Sequence, residues 1–207
     1  MRDAVHRYLA RGFRPMPMWG VDDQGRCLCG GIDPRTRKSC NAGKHSRDEE
    51  SWKNGREYGP SDFTEQDNIA LALGPWRPGD WLVCLDLDGA RPELLSRALG
   101  LTLPPTLIQH SPRGAHLFFA VPEYEPLGNW NDVFVTKHRE GWAVDVRYAR
   151  GRVNVAPSRS AFGEYRWVDE SAPIAHLPRQ FVHRVLDDRE RRGLEVQRRW
   201  ERSGKRP

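Results

Sequence analysis

The run Trp81-Leu82-Val83-Cys84-Leu85-Asp86-Leu87-Asp88-Gly89 places two carboxylates in an otherwise apolar stretch. Alternate residues of a strand share a face, so Asp86 and Asp88 point the same way, roughly 7 Å apart along the backbone. Val83, Leu85 and Leu87 then form the opposite, core-facing side. Two like charges at the end of a buried strand repel each other and are costly to desolvate; a bound cation removes both penalties. Oxygen donors of this kind suit Mg²⁺ or Mn²⁺. A strand that ends in two exposed acids before a glycine turn is the plainer alternative. Asp145, in Ala143-Val144-Asp145-Val146-Arg147, is again an acid among β-branched residues, and a third carboxylate would complete a two-metal site.

A second segment, His110-Ser111-Pro112-Arg113-Gly114-Ala115-His116-Leu117-Phe118-Phe119, reads as a basic, hydroxyl-bearing turn entering an apolar strand. Ser111, Arg113 and the turn amides have the donors to grip phosphate oxygens, and His116 at the start of the strand could bond the same phosphates. An ordinary hairpin with a half-buried histidine accounts for the same residues. A third segment is cysteine-rich: Cys27-Leu28-Cys29, ten residues, Cys40, four residues, His45. Three thiolates and one imidazole suit a tetrahedral, structural Zn²⁺. The first pair is closer than the usual two-residue spacing, and a loop of reduced, unligated thiols is the alternative. Zinc is favoured because residues 20–60 are polar and glycine-rich, a stretch too long to hold together without a cross-link. A disulfide-stapled secreted domain would scatter its cysteines and omit the histidine. Cys84 stands apart, in the acid strand, and is expected to take no part in zinc binding.

The elements that must position these groups follow from periodicity. Residues 2–10 carry apolar side chains on one helical face, with Gly12 placed to end the helix. Residues 13–19, short and proline-broken, fit an edge strand. Residues 68–73 read as a buried strand closed by Gly74, residues 75–80 as a turn, and 81–87 as a second strong strand. Pro92 opens and Gly100 follows a short helix. Residues 106–109 and 116–121 look like strands joined by the 111–114 turn. The span 122–141 gives no clear pattern. Residues 142–148 and 152–156 suggest a hairpin around 149–151, residues 165–168 one more strand, and the end from about 178 a helix. Hairpins with few helices predict an α+β fold rather than a doubly wound parallel sheet.

The chain has 207 residues, enough for one large domain and a real core. It has no apolar run long enough to span a membrane, and its first residues lack the apolar stretch of a signal peptide. A cytoplasmic protein without a membrane partner is the expectation. The net charge of +5 leans toward a polyanionic partner, although part of the excess sits in an Arg-dense tail.

The motifs taken in order carry a resemblance. Asn68-Ile69-Ala70-Leu71-Ala72-Leu73-Gly74, Val83 through Asp88, Gly114-Ala115-His116-Leu117-Phe118-Phe119, Val144-Asp145-Val146-Arg147 with Val155-Ala156-Pro157-Ser158, and Gly163-Glu164-Tyr165-Arg166-Trp167 resemble successive segments of the bifunctional DNA primase/polymerase (prim-pol) domains of the archaeo-eukaryotic primase superfamily. The resemblance implies an RRM-like catalytic sheet with a small N-terminal α/β unit and a zinc-binding insertion at about 20–60. It places the primase-polymerase domain at 1–186 and a basic helical or disordered tail at 187–207. It implies templated nucleotidyl transfer by two Mg²⁺ or Mn²⁺ ions on Asp86, Asp88 and Asp145. His116 would hold the triphosphate, assisted by Ser111 and Arg113, and Cys27, Cys29, Cys40 and His45 would hold structural Zn²⁺. Its partners would be a single-stranded DNA template, a primer strand, dNTP or NTP, and a separate helicase. Arg35, Arg37, Lys38 and Lys44 could meet template phosphates. Two alternatives are weighed against it. Asp86-Leu87-Asp88-Gly89 is also similar to the nucleophile loop of haloacid-dehalogenase-type phosphatases, and a zinc-bearing single-stranded DNA-binding module without activity would explain the charge and the cysteines.

Overall fold

A computed structural model of the chain describes residues 1–31, 40–48, 52, 54–89, 91–123, 125–134 and 143–203. Helix α1 (Arg2–Ala10) sends Ala4, Val5 and Tyr8 into the core. It is followed by β1 (Arg14–Met18), a 3-10 turn (Pro60–Asp62), β2 (Asn68–Ala72), β3 (Gly74–Arg77) and β4 (Asp80–Asp88). Then come α2 (Pro92–Leu99), β5 (Leu107–Ser111), β6 (Gly114–Pro122), β7 (Trp130–Val133) and β8 (Ala143–Arg147). The chain closes with β9 (Arg152–Val155), β10 (Arg159–Ser160), β11 (Gly163–Glu164), β12 (Arg166–Trp167) and α3 (Arg179–Ser203). None of the helices among the described residues is long and apolar enough to cross a membrane.

Two sheets matter for the site. The larger has the order β12-β5-β6-β4-β8-β7, and β3 pairs the first half of β4 on the edge whose second half takes β8. The smaller has the order β1-β2-β9. Every pairing between these strands is antiparallel, so the α+β reading holds among the described residues.

Strand alternation in β4 builds two cores at once. Val83, Leu85 and Leu87 pack with Leu117, Phe119, Val144 and Val146 beneath Leu95 of α2 and Phe181, Val182 and Val185 of α3. Leu82 and Cys84 face the other way, into a cluster with Phe118, α1 and the small sheet. Each such side chain buried from water contributes about 1.5–3 kcal/mol, so β4 is held firmly from both sides. On that second face the apolar cover ends after Cys84, and the next two residues in phase are Asp86 and Asp88.

Two expectations need correction. Residues 75–80 do not merely turn: β3 pairs with β4 from Gly74 to Arg77, and Pro75 is tolerated because β3 is an edge strand. β8 and β9 do not form a hairpin; β8 pairs with β4 and β7, whereas β9 pairs with β2 in the other sheet. The link between them is captured by Asn129, whose Nδ2 donates to Ala149 O at 2.8 Å and whose Oδ1 accepts from Tyr148 N at 2.8 Å. A Cβ on Gly151 would come within 2.3 Å of the same Oδ1, so glycine lets the chain cross between sheets there. The small unit is therefore α1 with β1 and β2, completed by a strand from much later in the chain. β7 falls in the span without clear pattern; residues 124 and 135–141 of that span, and residue 142 at the head of the next expected strand, lie outside the described residues.

Candidate active site and cysteine-histidine loop

Cross-strand register assembles the site. Asp86 of β4 stands directly opposite His116 of β6 on one side and Asp145 of β8 on the other. His116 in turn stands opposite Gln109 of β5. Directly opposed residues of antiparallel strands share a face, so Gln109, His116, Asp86 and Asp145 form one row. Asp88 lies one step along, opposite Gly114, where a Cβ would come within 1.8 Å of Leu87 O. The missing side chain lets β6 approach β4 and leaves space beside Asp88. Asp86, Asp88, Asp145, His116, Ser111 and Arg113 all line one cavity of about 550 Å³.

Each acid has its own basic partner. His116 Nε2 lies 3.2 Å from Asp86 Oδ1. Arg113 Nη2 lies 2.9 Å from Asp88 Oδ2. Arg147 Nη2 pairs with Asp145 Oδ2, while Asp145 Oδ1 accepts from the Asp132 amide at 2.7 Å. That amide is turned inward by an irregularity between Trp130 and Val133 in the β7–β8 pairing, with Asp132 at φ +51°. Asp86 Oδ2 and Asp88 Oδ1 accept no hydrogen bond from a described residue. They are two unclaimed oxygens on one strand face, the donor type that hard divalent cations take.

Burial pushes the Asp86 carboxyl up, but the adjoining His116 imidazole and the charges of Arg147 and Lys44 outweigh it and hold the group below the usual carboxylate range. Asp145 goes the other way. Its burial is only partly offset by the Asp132 amide and Arg147, and the neighbouring charge of Asp86 raises it further. Within one row, one carboxylate is favoured as an anion and the next resists ionisation. A bound cation reverses that resistance.

The histidine is oriented by a residue that the sequence reading passed over. Gln109 is fully buried. Its Nε2 sits 2.7 Å from His116 Nδ1 and donates to Asn154 O at 2.7 Å, and its Oε1 accepts from Ala156 N at 3.2 Å. The Ala156 amide fixes which end of the amide is oxygen, so both Nε2 hydrogens are spent on Asn154 and His116. Nδ1 of His116 is then the acceptor, and Nε2–H is aimed at Asp86. The signal was present: a glutamine in phase with the buried residues of an apolar strand must find partners.

Cys27, Cys29, Cys40 and His45 converge, with their donor atoms all within 4.8 Å of one another. Cys27 Sγ lies 3.2 Å from His45 Nε2 and Cys29 Sγ 3.4 Å from Cys40 Sγ. Ligand bonds of about 2.0–2.3 Å to a tetrahedral Zn²⁺ put neighbouring donors roughly 3.5–3.8 Å apart, so the set fits that ion with little movement. Burial alone would push the Cys27 thiol up, but amide donors from Gly43 and Cys29 hold it below its ordinary value. Burial and the neighbouring sulfurs push Cys40 up to about 12. Sulfurs this close ionise together only around a cation. The group could hold zinc. Cys84 is buried in the core, outside this group. Arg35, Arg37 and Lys38 lie outside the described residues.

The loop does not stand off from the catalytic sheet. Met18 of β1 bridges to Ser46, Trp19 N donates to His45 O at 3.0 Å, and Arg47 N donates to Pro17 O at 3.2 Å. The outer edge of β1 is thereby covered. Lys44 and Asn154 line the same cavity as the acids, although neither stood out in the sequence as part of that site.

Among curated proteins and among solved structures, none matches this sequence. The family described as bifunctional DNA primase/polymerase, N-terminal, matches residues 5–180, most of the chain and every strand of the site. With the acid-bearing strands, the histidine strand and the antiparallel α+β fold all inside that match, the chain belongs to the bifunctional DNA primase/polymerase N-terminal family.

Proposed function

We propose that this domain joins nucleotides on a single-stranded DNA template, with a primer 3′-hydroxyl attacking the α-phosphate of a dNTP or NTP. A new P–O bond forms at the α-phosphorus, the bond from that phosphorus to the oxygen bridging it to the β-phosphate breaks, pyrophosphate leaves, and the hydroxyl proton passes to water. The observation that carries this reading is the row Asp145–Asp86–His116, three groups of complementary chemistry on adjacent strands in direct register.

Asp86 and Asp88, each with an unclaimed oxygen, are the residues to hold two divalent cations, and Asp145 completes the set. Mg²⁺ or Mn²⁺ bound there would supply charge stabilisation to the attacking and leaving oxygens. His116 offers an Nε2–H already oriented by Gln109, and a triphosphate oxygen would compete with Asp86 for it. Ser111 and Arg113 stand on the same cavity as further phosphate donors. Phe162 is 67 % exposed at the tip of the β10–β11 hairpin, with Arg113 5.8 Å from its ring centre. An exposed ring beside an arginine suits stacking of an unpaired template base. Cys27, Cys29, Cys40 and His45 would hold zinc as a structural cross-link.

The test is primer extension on a DNA template with dNTPs and Mn²⁺ or Mg²⁺. Incorporation that follows the template supports the proposal. Hydrolysis of a simple phosphate ester without templated incorporation would overturn it, and DNA binding without incorporation would support the inactive binding module instead.

A further inference from the structure

The cavity holds more cations than its acids require, and they are not equivalent. Arg113 pairs with Asp88 through one nitrogen, and Arg147 with Asp145 and with Asn131 Oδ1 at 2.7 Å. The Arg152 guanidinium lies 5.1 Å from the centre of the Trp52 ring. Lys44 is half-buried on the same cavity and forms no ion pair with a described residue. Its charge is nevertheless felt at Asp86. A half-buried ammonium group with no ion pair to a described carboxylate is suited to an anionic ligand.

Its placement is set from both sides. Gly43, at φ +72°, is locked against the body of the domain. Its carbonyl accepts from Asn68 Nδ2 at 3.0 Å and from Asn154 Nδ2 at 2.5 Å. A Cβ there would meet Arg159 O at 2.7 Å and Asn68 Nδ2 at 2.9 Å. The Gly43 amide donates to the Cys27 sulfur. On the other side, His45 belongs to the cysteine-histidine group and its carbonyl is held by Trp19. Gly43-Lys44-His45 thus joins a backbone clamp, a cavity cation and a metal-binding imidazole in three consecutive residues.

We propose that Lys44 binds phosphate oxygens of the incoming nucleotide and that the cysteine-histidine loop is its carrier, so that metal in the loop sets nucleotide affinity in a cavity that the loop's own ligands do not enter. The proposal rests on the nucleotidyl-transfer reading of that cavity. A triphosphate is the ligand that fits, because it brings anionic oxygens to a lysine beside carboxylates that themselves favour divalent cations. Zinc in the loop would then act through position: it fixes His45 and Cys27, they fix the ends of the Gly43–His45 segment, and the segment fixes the ammonium group.

The experiment titrates a fluorescent dNTP analogue, and separately a labelled single-stranded DNA, onto the full chain in the presence of Ca²⁺. Lys44→Ala should weaken nucleotide binding by about 10- to 100-fold, the loss expected for one charge-assisted hydrogen bond. Its DNA binding should stay within about twofold, since that rests on many phosphate contacts, and its zinc content should match wild type. Lys44→Arg should recover most of the affinity. Gly43→Ala should keep its zinc yet lose nucleotide affinity, because the added Cβ displaces the segment. Stripping zinc should weaken nucleotide binding in wild type and add little in Lys44→Ala, a non-additivity expected of residues acting as one unit. If stripping unfolds the chain, the Gly43→Ala result decides. Unchanged nucleotide affinity in Lys44→Ala, or equal losses for DNA and nucleotide, would overturn the assignment. Failure of wild type itself to bind any nucleotide would instead sink the nucleotidyl-transfer reading and remove the ground for this one.

Discussion

Gln109→Leu isolates the device that orients His116. Leucine fills nearly the volume of glutamine, so packing is largely kept and the change is one of hydrogen bonding. Two buried groups, His116 Nδ1 and Asn154 O, and the half-buried Ala156 N lose a partner. At about 1–3 kcal/mol for each buried group left unsatisfied, and allowing for partial repair by local shifts, the loss should be about 2–4 kcal/mol. For a chain of 207 residues about 1 kcal/mol corresponds to roughly 2–4 °C, so the melting temperature should fall by about 5–15 °C. Thermal and urea unfolding monitored by circular dichroism measure this directly. Well below the melting point the variant should also lose affinity for nucleotide, because the imidazole is free to rotate or change tautomer. A loss below about 1 kcal/mol with unchanged nucleotide affinity would refute the orienting role of Gln109.

Other perturbations bear on separate parts of the account. Purified protein should contain one zinc per chain; Cys29→Ser should lose it and lower the melting temperature, whereas Cys84→Ser should retain it, both checked by elemental analysis. Asp145 binds its proton more tightly folded than unfolded, so its ionisation costs stability at neutral pH, a cost that vanishes as pH falls through its raised value. Metal-free Asp145→Asn should therefore be at least as stable as wild type at pH 7, with the advantage gone below about pH 3, where the carboxyl is protonated folded and unfolded alike, in urea titrations at both values. Mn²⁺ should stabilise wild type but not this variant. Residues 189–207 hold eight basic and three acidic residues, so the whole net charge of +5 resides there. Ending the chain after Arg192, which keeps the pairs of Arg191 and Arg192 with Asp188, should lower DNA affinity and the slope of its salt dependence while sparing incorporation on bound template.

The sequence disclosed most where a local rule fixes geometry. Strand alternation alone put Asp86 and Asp88 on one face, and the helix from Pro92 to Leu99 ends at Gly100 in the left-handed conformation that its position suggested. The cysteine-histidine spacing foretold a cluster, and its four donors do converge. What stayed hidden depended on contacts between distant residues. Nothing local shows that β8 and β9 part company, because Asn129 must be in place to catch the link. β3 was obscured by Pro75, which reads as a turn until β4 is there to pair with an edge strand. Lys44 looked like one charge among several in a polar loop; its meaning comes from Asn68 and Asn154, which clamp the preceding glycine against the body of the domain.

Single-turnover primer extension with Mn²⁺, comparing wild type with folded Asp86→Asn, tests the central claim most directly. Asparagine keeps the size of the side chain but removes the charge that a cation needs, and loss of a metal ligand removes several kcal/mol of transition-state stabilisation. The account predicts template-directed incorporation by wild type and a fall of at least about 10³-fold in the variant, with its melting temperature near that of the metal-free wild type. Incorporation by folded Asp86→Asn at close to the wild-type rate would contradict it.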